Sequence, residues 1–157
     1  MMTKDEWFTV NAFGRRVCDL VGYKDGDIDI AAERTGIDRR QIEAMKGTAR
    51  NVNYDVVQGI TRGFGVSLDY MIGWRKDPEP EKTDEVANYS QRIREVAADF
   101  GGDYILFSAA VGLSTTVLYG LASGRNKPRL LALVAIAGAT DTRLDWLIGR
   151  DCPKEAI

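Results

Sequence analysis

The sequence predicts an all-α protein built as two tandem five-helix units. Apolar residues recur at helical spacing, and no run shows the period-2 alternation of a half-buried strand. The chain also repeats itself: residues 12–74 lie over residues 88–150 at an offset of 76, without a gap. Glycines and short polar residues punctuate both copies at the same places, as they do where helices start and stop.

The repeat contains nine identical pairs: Arg16/Arg92, Gly26/Gly102, Asp27/Asp103, Gly36/Gly112, Ile60/Ile136, Leu68/Leu144, Asp69/Asp145, Ile72/Ile148 and Gly73/Gly149. Similar pairs fill the apolar positions between them, among them Phe13/Tyr89, Val17/Ile93, Ile42/Leu118, Met45/Leu121 and Tyr70/Trp146. The copies close on LDYMIG and LDWLIG. These matches divide the chain into a first domain over 8–74, a linker over 75–87, a second domain over 88–150 and a tail over 151–157. Two prolines, Pro78 and Pro80, alternate with charges in the linker, a composition that favours extended, solvated chain. Thr83 and Asp84 are candidates for an early cap on the helix that follows.

Within each copy the elements follow in order. Phe13, Val17, Leu20 and Val21 form the apolar stripe of a first helix, as do Tyr89, Ile93, Val96, Ala97 and Phe100. Asp27 and Asp103 read as N-caps of a second helix, over Ile28–Arg34 and Tyr104–Ala110. Gly36 and Gly112 stop it, where positive φ is needed. A three-residue turn leads to a third helix, capped by Asp38 and Ser114. A fourth helix is predicted over Tyr54–Phe64 and Leu130–Gly138, and a short fifth over Leu68–Ile72 and Leu144–Ile148.

Composition narrows the function. The chain has 157 residues, 45% hydrophobic and 28% charged, as expected of a globular protein. No stretch approaches the roughly 18 apolar residues of a membrane span, and the N-terminus shows no secretory pattern, so a cytoplasmic protein is expected. Cys18 and Cys152 are the only cysteines and there is no histidine. That ligand count excludes a structural zinc site, and neither a metal nor a cofactor is expected. Without histidine, the commonest general base and every Ser-His or Cys-His pair are missing, so a non-enzymatic protein is expected. Net charge is −2 with a pI near 5.2. Residues 12–74 are balanced, residues 88–150 carry +2 and the linker −2, so attraction to phosphate is expected to be modest and local.

A helix, a glycine turn and a second helix with a polar outer face make a helix-turn-helix. A small residue, a glycine and an apolar residue stand at matching spacing in both copies: Ala32, Gly36 and Ile42, then Ser108, Gly112 and Leu118. The stretch GLSTTVLYGLASGRNKPRLLALVAIAGATDTRLDWLIG, Gly112 to Gly149, resembles the Cro/CI-type (XRE-like) helix-turn-helix family of phage repressors and bacterial regulators. GIDRRQIEAMKGTARNVNYDVVQGITRGFGVSLDYMIG, Gly36 to Gly73, is similar to the same family. The resemblance covers both repeats, about 126 of the 157 residues. It implies lambda-repressor-like domains, double-stranded DNA as partner and a role in transcription regulation. The chain departs from the family where Ile37-Asp38 stands in the first turn, where Ser108 replaces the usual alanine, and in the absence of charge from Thr115 to Ser123.

On a third helix entering the major groove, the N-terminal residues face base edges. In the first copy these are Arg39, Arg40, Gln41 and, further along, Lys46; in the second, Thr115, Thr116, Val117 and Tyr119. The polar loops that follow supply Thr48, Arg50, Asn51 and Asn53, then Ser123, Arg125, Asn126, Lys127 and Arg129, which the resemblance sets against the sugar-phosphate backbone. Two tethered domains could span an operator as a monomer, and a dimer stays open. The alternative is a protein-interaction factor, antitoxin-like or anti-repressor-like, in which one copy binds a protein; the uncharged third helix of the second copy supports it. Asp25-Gly26-Asp27-Ile28-Asp29 lacks the spacing of a calcium loop and reads as helix capping. Trp7, Trp74 and Trp146 read as packing residues.

Overall fold

A computed structural model describes residues 2–47, 51–78 and 84–155. Among them are ten α-helices and no strand; the only extended pairings are two isolated bridges. The chain divides into two units, Met1–Pro80 and Glu81–Ile157, each with five helices.

The first unit comprises α1 (Lys4–Val21), α2 (Asp27–Thr35), α3 (Arg39–Met45), α4 (Tyr54–Phe64) and α5 (Leu68–Met71). Thr3 and Glu6 form a reciprocal capping box, so α1 begins before the position read as the domain start. Val10, Phe13 and Val17 are buried from α1, and Ile42, Val57, Ile60, Leu68 and Met71 close the core over them. Gly59 and Gly63 admit α2 against α4: a Cβ on either would strike Ile37 or the backbone of Arg34 and Thr35.

The second unit comprises α6 (Tyr89–Ala98), α7 (Tyr104–Val111), α8 (Thr115–Ala122), α9 (Leu130–Thr140) and α10 (Leu144–Leu147). Its core joins Ile93, Val96, Phe107, Leu118, Leu130, Leu133, Ile136, Leu144 and Leu147. The bounds of α4 and α9, and of α5 and α10, differ by the 76-residue offset of the repeat at both ends. The repeated Arg16/Arg92 and Tyr70/Trp146 pairs are stacks: Arg16 lies 3.9 Å over the Tyr70 ring and Arg92 lies 4.5 Å over Trp146. Arg150 and Asp145 form a buried ion pair at 3.3 Å.

Three local readings change. Asp103 caps α7, accepting the amides of Ile105 and Leu106, but Asp27 does not cap α2. Its Oδ2 accepts the Lys24 amide instead, which draws Asp27 into the first turn and leaves Gly26, at φ 83°, as the cap. Asn88 caps α6 with a Gln91 capping box, while the Asp84 carbonyl accepts the Asp151 amide. Residues 84–87 and 151–155, read as linker and tail, are therefore held within the second unit: Val86 and Ala87 donate to the Gly149 carbonyl, and Arg143 donates to Lys154. Gly149 is glycine because a Cβ there would collide with the Ala87 carbonyl.

Candidate nucleic-acid interface

In the first unit α2 and α3 are joined by Gly36, Ile37 and Asp38. Gly36 sits at φ 71° and donates to the Ala32 carbonyl, Ile37 is buried, and the Asp38 carboxylate accepts the Arg40 amide at 2.7 Å. Ile42 and Met45 then face the core, so Arg39, Arg40, Gln41, Glu43 and Lys46 are left exposed. The structure thus gathers three of the expected side chains on one turn of α3. It also shows a contact that the sequence did not reveal: the Arg39 guanidinium pairs with Asp29 of α2 at 2.9 Å. Both partners are more than 60% exposed, so the pair contributes less than about 1 kcal/mol. Lys46 ends α3 with its ammonium 5.8 Å from the centre of the Tyr23 ring. The Tyr23 hydroxyl donates to the Ile42 carbonyl at 2.6 Å, and burial pushes its pKa up to about 12.

Thr48 and Arg50, both expected to contact DNA, lie outside the described residues. Asn51 is half-buried, and Asn53 caps α4 by accepting the Val56 amide at 2.9 Å.

In the second unit α7 and α8 are joined by Gly112, Leu113 and Ser114, and the two helices turn through 107°. Ser114 caps α8, and Gly112 has φ 82°. Thr115 is half-buried at the start of α8, while Thr116, Val117 and Tyr119 are exposed. Tyr119 is partly committed to packing, its ring 4.1 Å from that of Tyr104.

Arg125, Asn126, Lys127 and Arg129 are all exposed in the loop between α8 and α9. That loop is anchored at both faces. The Asn126 amide donates to the Gly120 carbonyl at 3.1 Å, and a Cβ on Gly120 would collide with the Asn126 side chain. The Tyr89 hydroxyl donates to the Asn126 carbonyl at 2.7 Å. Burial raises the Tyr89 pKa and nearby Lys127 lowers it, with burial the larger influence. Tyr89 was missed as a site residue because it reads as core by its periodicity; its hydroxyl, set against Phe13 in the first copy, was the available signal.

The charges differ between the units. Around α3, Arg39, Arg40 and Lys46 alternate with exposed Asp29, Asp38 and Glu43. Around α8 no charge occurs until Arg125. Compared with protein families, with curated proteins and with solved structures, the chain matches none.

Proposed function

We propose that the chain is a sequence-specific regulator of transcription that binds double-stranded DNA. It is non-enzymatic, of the phage-repressor kind, and built as two tandem five-helix lambda-repressor-like helix-turn-helix domains. The observation that carries this reading is the shared exposure of Arg39, Arg40 and Gln41 on the first turn of α3, directly after a three-residue glycine turn. Arginine bonds guanine through two acceptors and glutamine bonds adenine the same way, each such contact being worth about 1–3 kcal/mol of discrimination. The 107° turn between α7 and α8 falls in the roughly 90–120° range of a helix-turn-helix and supports the same architecture for the second unit. Arg125, Asn126 and Lys127 suit the positioning contacts to phosphate that fix register without reading sequence.

Selection from a random duplex library tests this, followed by affinity measured against salt. An enriched sequence is expected, with an affinity falling as roughly the fourth power of salt concentration if about four cations meet phosphates. No enrichment, or an affinity indifferent to salt, overturns it.

A second reading is favoured by one observation: the outer surface of α7 and α8 is apolar and exposed, with Ile105 at 74% and Leu106 at 56%. Such a surface fits a protein partner, the first unit keeping the contact with DNA.

A further inference from the structure

We propose that the outer face of α7 and α8 is the contact surface for a second copy of this chain. A helix that is apolar on every side belongs in a core or against a partner. The helix α7, YILFSAAV, is of that kind, yet only Phe107 in it is fully buried. Ile105 and Ala109, and Leu106 and Ala110, stand four residues apart and form one stripe, and all four are exposed. The Tyr104–Tyr119 ring contact carries this stripe across to α8, where Tyr119 is exposed as well.

Charge and area argue for a copy of the same chain. From Tyr104 to Ser123 there is no charged side chain. Across a two-fold axis a surface meets itself, so an uncharged one brings no like charges together. A stripe of this kind is of the order of the largest apolar patch on a typical monomer, about 300–600 Å². Doubled across the axis this reaches about 1,000 Å², the area a specific interface has to clear. The inference rests on the protein-contact reading of the second unit and does not need DNA binding by the first.

Sedimentation equilibrium of the full chain, without DNA and from low micromolar to hundreds of micromolar, tests it. The wild type is expected to approach twice the 17.4 kDa chain mass. Ile105→Glu with Leu106→Glu is expected to weaken that dimer by at least ~100-fold, as for central residues of an interface, with the helical circular dichroism unchanged. Should the glutamates disturb folding, Ile105→Ser with Leu106→Ser keeps the test, with at least ~10-fold weakening expected. A wild type that stays monomeric, or a dimer indifferent to both folded pairs, overturns the proposal. Binding of a hydrophobic dye separates two kinds of failure. A monomer whose dye binding is lost in the double variant presents this face to a different protein, whereas a monomer that binds no dye removes the protein-contact reading too.

Discussion

The outer stripes of α2 and α7 occupy the same register of the repeat, and the first is mostly charged where the second is wholly apolar. Asp29, Ile30, Glu33 and Arg34 stand on α2 where Ile105, Leu106, Ala109 and Ala110 stand on α7. On α2 two of the charged residues are partnered locally: Asp29 pairs with Arg39, and Arg34 donates to the Gly63 carbonyl while lying 4.8 Å from the Phe64 ring centre. On α7 the corresponding stripe carries no polar side chain. Inside, the contrast runs the other way. Ala31 in the first unit stands where Phe107, stacked at 5.2 Å on Phe100, fills the core of the second. Equivalent helices can therefore keep the same place in the repeat while their inner volume and outer chemistry diverge separately. The inner change is met by repacking within the unit, whereas the outer change alters what the unit can bind.

The largest effect expected of this contrast is on stability. Phe107 is fully buried, so Phe107→Ala should cost the second unit about 3–5 kcal/mol, read by denaturant unfolding. Ala31→Gly should cost the first unit only about 1 kcal/mol, mainly through helix propensity. Similar losses at the two positions would break the comparison of cores.

Next comes the comparison of outer faces. Arg39→Ala with Arg40→Ala should lower affinity for a selected duplex by about 100-fold, since two base contacts of at least about 1.4 kcal/mol each are removed. Thr115→Ala with Thr116→Ala should change it by only a few fold. Fluorescence anisotropy measures both, and equal losses would assign base reading to both units.

A smaller effect is expected in alkali. The Tyr23 pKa rises from 10.0 to about 12 on folding, so its contribution to the first unit is complete below pH 10 and is lost as pH climbs towards 12. Tyr23→Phe should flatten that decline, as measured by thermal melting against pH. Tyr89→Phe, which unpins the second loop, should cost about 1 kcal/mol of stability and a few-fold in DNA affinity. The smallest change belongs to Asp29→Ala: stability should shift by less than about 0.5 kcal/mol because the pair with Arg39 is exposed. DNA affinity should rise slightly as that arginine is released, and a fall would show that Asp29 positions Arg39.

Much of the architecture was legible because its causes are local. The glycines at 36 and 112, the caps at Asp38, Ser114 and Asp103, and the 3.6-residue periodicity gave helix ends close to those observed. Asp27 misled because one hydrogen bond to a neighbouring amide competes with capping, and the same dipeptide, Gly-Asp, serves both outcomes. The candidate side chains on α3 were legible for the same local reason: once Ile42 and Met45 face inward, Arg39, Arg40 and Gln41 must face out. The Tyr89 anchor of the cationic loop was not legible, since it joins residues 37 positions apart.

By itself the sequence determined how many helices form, most of their ends and the apolar stripes that turn inward, because capping, backbone preference and apolar spacing act within a few residues. Only the tertiary structure decided that Asp29 reaches Arg39, that the chain ends of the second unit pair with each other, and that α7 keeps its apolar stripe in the open. An apolar run looks the same in sequence whether or not something covers it. Covering is a property of the neighbours that folding brings up, and for α7 those neighbours reach Phe107 and leave Ile105 and Leu106 bare.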